Sequence, residues 1–169
     1  MVTYNFVNGS EGIDESRNGK GYLKLGKLAT IRFEGKANFA KGISVRCDSG
    51  VLNFGKNIST NRYCFISCSK SVKIEEGCSF GWNVQIRDSD GHDIHSLETG
   101  KITNAEDSSV YIGKNSWVAA NVNILKGVHI NHDSVVAYNS CVLKSFNESN
   151  VLIAGYPAVI KKRNIFWTK

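Results

Sequence analysis

The chain has 169 residues, enough for one domain with a sizeable core and too few to expect two independent ones. Its composition, 41% hydrophobic and 21% charged, is ordinary for a soluble globular protein, and no apolar run approaches the roughly 20 residues needed to cross a bilayer. The net charge of +6 favours an anionic partner; with no helix-turn-helix or RNP-like pattern to present to bases, a phosphorylated cofactor is expected in preference to nucleic acid.

In chain order, Met1 to Ser10 lacks the basic and apolar regions of a signal peptide, so a cytoplasmic location is expected. Residues 1–28 show only scattered order and read as the irregular start of a single domain spanning 1–169. A period of six then emerges. Ile31, Ala37 and Ile43 precede Phe33, Phe39 and Val45 by two positions; Leu52, Ile58 and Cys64 precede Phe54, Thr60 and Ile66; Val72, Cys78 and Val84 precede Ile74, Phe80 and Ile86. After residue 109 the ladder is unbroken. Ile112, Val118, Ile124, Ile130, Val136 and Val142 stand six apart, and Val110, Ser116, Val122, Val128, Ser134 and Ser140 form a second ladder two positions earlier. About fifteen hexads can be traced, a self-similarity that marks a repeat architecture.

A six-residue period is neither an α-helical stripe, since 3.6 residues per turn would carry its members around the cylinder, nor a plain strand of period two. It fits a short strand, a turn and another short strand. Three such hexads close a triangular coil with aliphatic side chains inside, and coils stack at about 4.8 Å, the spacing of paired strands. The expected class is therefore all-β, a parallel β-helix. The five cysteines, odd in number and without a CxxC pair, indicate neither a disulfide framework nor a zinc ribbon. Cys64 and Cys78 occupy the ladder itself, which predicts packing as their role. From 145 to 169 the chain leaves the repeat: Val151 to Ala154 suggests a final strand, and Pro157 is expected to open a short basic helix or tail.

The ladder stops between Ile86 and Val110. Residues 87–109 form an excursion from a regular scaffold, the kind of loop on which sites tend to be found. It holds His92 and His95 among Asp88, Asp90, Asp93 and Glu98. An imidazole titrates near neutral pH and a carboxylate can fix its tautomer, so a histidine here is a candidate general base.

Taken in order, Gly91 to His95, Trp117 to Ala120, Ile124 to Val128, Ser134 to Ala137 and Gly155 to Ala158 resemble the hexapeptide-repeat acetyltransferases related to the galactoside, maltose and polysaccharide O-acetyltransferases. The resemblance covers roughly residues 70 to 163. It implies a left-handed coil, which spacing alone does not give because parallel crossovers are normally right-handed. It also implies a homotrimer with sites in the clefts between prisms, acetyl-CoA as donor, and His92 as the catalytic base. Asp90, Asp88 or Asp93 would orient the imidazole, with Asp90 preferred; His95 and Asp88 would stand on the acceptor side. Trp117 would pack near the pantetheine arm, Ala120 and Tyr138 would offer backbone at exposed turns, and Lys144 and Lys162 would meet the phosphates. The sequence departs from the family pattern after Trp117, where Val-Ala-Ala replaces the commoner Ile-Gly, and at the bulky Tyr138.

The expected function is O-acetylation of a sugar hydroxyl in surface polysaccharide biosynthesis, with N-acetylation of a nucleotide-linked amino sugar as the alternative. A zinc-dependent hydratase on the same prism is a second alternative, because His129 and His132 repeat the H-x-x-H spacing of the loop. Both fall at ordinary positions of a regular hexad, so no metal is expected. A purely structural solenoid is a third, disfavoured because nothing in it would need the excursion at His92.

Overall fold

In the computed structural model, residues 21–168 are described. The chain forms β1 (Tyr22–Phe33), β2 (Ala37–Phe39), β3 (Ser44–Phe54), β4 (Ile58–Thr60), β5 (Phe65–Cys68), β6 (Ser71–Ile74), β7 (Ser79–Phe80) and β8 (Gln85–Arg87) before the excursion. After it come β9 (Val110–Ile112), β10 (Trp117–Val118), β11 (Asn123–Ile124), β12 (His129–Ile130), β13 (Val135–Val136), β14 (Cys141–Val142), β15 (Leu152–Gly155) and β16 (Ala158–Lys162). Regular strand already begins at Tyr22, inside the stretch expected to be irregular; residues 1–20 lie outside the described residues.

Strands pair in parallel with the equivalent strand of the next coil, which makes a parallel β-helix of three faces. The end of β3 with β6, β9 and β12 builds the first face. The second holds β2, β4, β7, β10, β13 and β15, and the third holds the start of β3 with β5, β8, β11 and β14. β3 serves two faces because it turns a corner at Gly50, whose φ of 70° suits glycine.

Coil length explains the slips in the sequence ladder. Val118 and Val136 are register partners 18 residues apart, whereas Ile66 and Ile86 are separated by 20. Across the excursion, Ile86 pairs with Ile124, 38 residues on. Up to Val142 every extra residue is accommodated at the same corner, between the third and first faces, so both neighbouring faces keep their register; the last coil differs, with Phe146 16 residues after its partner Ile130 and Ile153 17 after Val136.

From Gly42 onward the other corners carry a left-handed backbone residue on each coil, and asparagine tolerates that conformation better than bulkier residues. Asn57, Asn115, Asp133 and Asn150 meet the need at one corner, and Asn83, Asn121 and Asn139 at the other. Their amides also tie coil to coil. Asn83 donates to the Asn121 side chain at 3.0 Å, Asn121 to the Tyr138 hydroxyl at 2.8 Å, and Asn115 to Asp133 at 3.1 Å.

Both ladders are buried without exception from Leu52 to Val142. Each fully buried Val or Ile contributes about 1.5–3 kcal/mol over its exposed state. The upstream coil is looser: Ile31 and Phe39 are only half-buried, and Phe33 stays 41% exposed with its ring stacked on Phe54 at 5.1 Å. All five cysteines are buried thiols outside any disulfide. Cys64 and Cys78 donate to the carbonyls of Gly81 (3.1 Å) and Gly113 (3.2 Å) on the next coil, and burial pushes the Cys64 thiol up to about 11. A thiol so raised is a poor nucleophile at neutral pH.

At the far end the expectation of a helix after Pro157 is corrected: among the described residues there is none. Phe146 bridges to Ile130 and β15 pairs in parallel with β13, so the coil continues into the segment expected to leave it. The chain then reverses at the cis Tyr156–Pro157 bond, and β16 returns antiparallel to β15. Pairing β16 with the last coil satisfies edge groups that a helix would leave open.

Interior and exterior positions should respond very differently to truncation. Ile124→Ala, inside the prism, is expected to lower unfolding free energy by about 2–5 kcal/mol, and Leu143→Ala, outside it, by less than about 1 kcal/mol, as read from chemical denaturation.

Candidate active site

The excursion is anchored before it leaves the prism. Asp88 is fully buried, and its carboxylate accepts three backbone N–H bonds from the preceding coil: Ser69 at 2.7 Å, Lys70 at 2.8 Å and Ser71 at 2.7 Å. Its own carbonyl accepts from the Ser108 amide at 3.0 Å, and Gly127 donates to the Ser108 carbonyl at 2.9 Å, so the two stems are joined to each other and to the next coil. Asp88, expected on the acceptor side or beside a histidine, is thus found with both carboxylate oxygens bonded to backbone N–H groups. Its oxygens already serve as a cap for the corner that opens into the loop.

Beyond the anchor the loop folds as a small antiparallel finger. His95 bridges to Ile102, and Thr103 donates to the Ile94 carbonyl at 2.7 Å. Asn104 is the cross-brace: its amide nitrogen reaches Asp90 (2.9 Å) and the His92 carbonyl (3.0 Å), while its oxygen accepts from the Ile94 amide (2.8 Å). Lys126, from the turn after β11, donates to Asp90 at 2.6 Å and also to the Ala105 carbonyl. Hydrogen bonds from Asn104 and then Lys126 hold the Asp90 carboxyl below the usual carboxylate range. This clamp is fully present at neutral pH and is lost as pH falls through that lowered value.

Asp90 consequently fixes His92 through the main chain, with Asn104 as intermediary, instead of gripping the imidazole. Among the described residues the His92 ring has no hydrogen-bond partner, and it is exposed at the mouth of an open groove of about 1200 Å³. The floor of the groove is the third face, with Arg46, Phe65, Ser67 and Arg87; the finger supplies the opposite wall. His95 does not reach the groove. Its Nδ1 hydrogen-bonds the Gly100 carbonyl at 3.1 Å, within the turn of the finger.

The remaining expected residues lie elsewhere. Trp117, 41% exposed on the second face, and Ala120, at the next corner, line a separate cavity of about 340 Å³. Tyr138 stands one coil beyond Ala120, since the Asn139 amide donates to the Ala120 carbonyl at 3.0 Å. Lys144 and Lys162 are exposed, the first after β14 and the second in β16. No residue lines both the His92 groove and the Trp117 cavity.

Four contributors escaped the sequence. Asn104 and Lys126 brace His92, yet both read as ordinary polar residues, Lys126 inside the I-L-K-G-V element. Trp82 and Trp167 share the cavity of Trp117, with Trp167 at 6.0 Å from the Trp117 ring and donating its indole N–H to the Asn115 carbonyl. The aromatic pair Phe166 and Trp167 after a basic segment was the available clue. The second H-x-x-H pair is otherwise engaged: His129 stacks on Tyr111 at 4.5 Å, and His132 contacts Asp133 and Ser149. Among the described residues no group of three or more His, Cys, Asp or Glu is arranged to hold a metal.

A three-faced parallel β-helix with a histidine-bearing finger is the architecture that the resemblance to the hexapeptide-repeat class implies. No family model matches the sequence. WbbJ of Escherichia coli K12, assigned to lipopolysaccharide biosynthesis as an O-acetyl transferase, is 36% identical over 138 residues, spanning 75% of this chain and 70% of that protein. The crystal structure of the polySia-specific acetyltransferase NeuO superposes with a TM-score of 0.57 at 27% identity, covering 90% of this chain and 75% of its own. A galactoside acetyltransferase in complex with coenzyme A shares the fold at TM-score 0.56 and 22% identity, over 79% of this chain and 64% of that one. The chain belongs to the hexapeptide-repeat O-acetyltransferases, and its coil is the left-handed β-helix of that family. No helix among the described residues is long and apolar enough to cross a membrane.

The anchor can be tested apart from the chemistry. Asp88→Ala would leave three N–H groups without their acceptor and is expected to lower stability by about 3 kcal/mol or more, with faster amide hydrogen exchange at Ser69 to Ser71 than elsewhere in the prism.

Proposed function

We propose that the protein transfers the acetyl group of acetyl-CoA to a sugar hydroxyl in surface polysaccharide biosynthesis, in the cytoplasm, with His92 as general base. The observation that carries this reading is the state of His92: its carbonyl is held by Asn104, the exposed residue lines an open groove, and its ring has no hydrogen-bond partner among the described residues. A general base needs that combination of fixed position and available nitrogen. The naming of WbbJ and NeuO supports a saccharide acceptor, and the coenzyme A complex of a protein with the same fold supports the donor.

In the reaction, a nitrogen of neutral His92 takes the proton from the acceptor hydroxyl as its oxygen attacks the thioester carbonyl carbon. The tetrahedral oxyanion collapses, breaking the carbon–sulfur bond. The departing thiolate takes the proton back from the imidazolium, which restores the neutral base and yields CoA and the acetyl ester. No acyl-enzyme is required. Asp90, Asn104 and Lys126 are positioning residues in this scheme, since they hold the finger and not the reacting atoms.

The donor would lie along the second face and its corner. Trp117, with Trp82 and Trp167 beside it, would wall the pantetheine arm. Backbone at Ala120 and Tyr138 would bond its amides, and Lys144 and Lys162 would meet the phosphates. Because one chain keeps this surface apart from the His92 groove, a complete site requires the finger of one chain against the Trp117 surface of another. A homotrimer with three equivalent clefts meets that requirement.

His92→Ala should stay folded and lose at least about 100-fold in kcat, as measured by CoA release over a panel of glycans. Near-full turnover on the best acceptor would contradict the assignment. Trp117→Ala should instead raise KM for acetyl-CoA about tenfold while changing acceptor KM little.

A further inference from the structure

The floor of the His92 groove carries charge that neither proton transfer nor donor binding uses. Lys24, Arg46, Ser67 and Arg87 occupy one register row on consecutive coils of the third face. With coils about 4.8 Å apart, the backbones at Arg46 and Arg87 stand roughly 9.6 Å from each other, and small Ser67 lies between them. All three line the same groove as His92.

The cations of this row are not equally occupied. Lys24 and Arg46 share one carboxylate, that of Asp48. Arg87 has none within ion-pair distance among the described residues. Its guanidinium lies over the Phe65 ring, 5.5 Å from the centroid, and donates to the amide oxygen of Gln85 at 3.2 Å. A ring face and a neutral amide hold a guanidinium in place without neutralising it, which leaves its remaining N–H donors for an external anion. Ser67 leaves room for that anion and adds a hydroxyl.

The acidic residues around the groove sit differently. Asp90 is engaged by Lys126 and Asn104, and Asp93, Glu106 and Asp107 belong to the finger. The floor also holds Asp48, already shared by Lys24 and Arg46, so the row carries three cations against one carboxylate, and beneath the acidic finger the place that favours an anionic group is over Ser67, beside Arg87. The carboxylates on the finger would disfavour an anion placed against that wall.

We propose that Arg87, with Ser67 and Arg46, forms a subsite for a negatively charged oxygen group on the acceptor, a carboxylate or a phosphate, so that the acceptor is an acidic saccharide whose reacting hydroxyl is turned towards His92. The subsite rests on the acetyltransferase reading above and narrows it to a substrate class. Arginine suits the role because its planar fork can bind two oxygens at once and thereby fix the orientation of the sugar.

The test measures kcat/KM of the full chain for α2,8-linked oligosialic acid, for the same oligomer with its carboxyls reduced to alcohols, and for a hexose phosphate. Wild type should prefer an acidic acceptor over the reduced oligomer by at least about tenfold, and Arg87→Gln should cut that ratio by about 10- to 100-fold. Ser67→Asp, which adds repulsion at an exterior strand position, should cut it as well. Whether sialic carboxylate or phosphate performs better identifies the anion. Equal use of acidic and reduced oligomers by wild type, or a ratio that survives in Arg87→Gln, overturns the subsite while His92-dependent transfer still stands. Absence of transfer to every acceptor, with no thermal stabilisation by acetyl-CoA, overturns the acetyltransferase reading and the subsite together.

Discussion

Everything in this protein depends on one repeated contact, an aliphatic side chain stacked in register on its counterparts in the coils before and after. Ile74, Ile112 and Ile130 stack in this way along the first face, and Ile66, Ile86 and Ile124 along the third. A short strand of two or three residues has little stability alone. Stacked coil on coil, it gains both backbone bonds and a continuous apolar interior, and the gain passes from neighbour to neighbour. The prism therefore tolerates irregularity only where the stack is not interrupted, at its corners.

That constraint explains where the chemistry sits. The finger leaves from the corner that also absorbs the smaller differences in coil length, and Ile86 and Ile124 close the stack behind it as though nothing had been inserted. A loop of this size would ordinarily lose order to its conformational entropy. Here Asp88 ties its root to the preceding coil, and Lys126 and Asn104 tie its middle to the prism and to itself. His92 gains a fixed main chain, and its ring keeps no hydrogen-bond partner among the described residues, so order at the candidate site is supplied by groups other than the imidazole itself.

The fold was legible because its pattern is periodic. Six-residue spacing specifies which side chains go inside, and each ladder residue from Leu52 to Val142 is where that spacing puts it. The site was legible only in part. His92 stands out by type and by its place in an interruption. The roles of its neighbours depend on how the interruption folds, which no period encodes. Asp88 and Asp90 stand two residues apart in one acidic run, with Asp90 preferred beside His92, yet the first is sealed within the corner and the second lies on the finger. Pro157 suggested a helix, but the edge of the final coil offered backbone pairing that a hairpin could satisfy. Trp167 and Arg87 acquire meaning only through what stands beside them on adjacent coils.

One chain holds His92, the proposed base, and Trp117, in the proposed donor surface, in separate cavities, so the account stands or falls on their meeting between copies. The most direct measurement mixes two inactive or weakened chains, His92→Ala and Trp117→Ala, refolded or co-expressed together and assayed at limiting acetyl-CoA. Interfaces that combine the finger of one variant with the intact donor surface of the other should restore activity to several times that of the two variants measured separately. A mixture that gives only the sum of its parts, from chains shown to have exchanged, would place both residues in one chain's site or remove one of them from it.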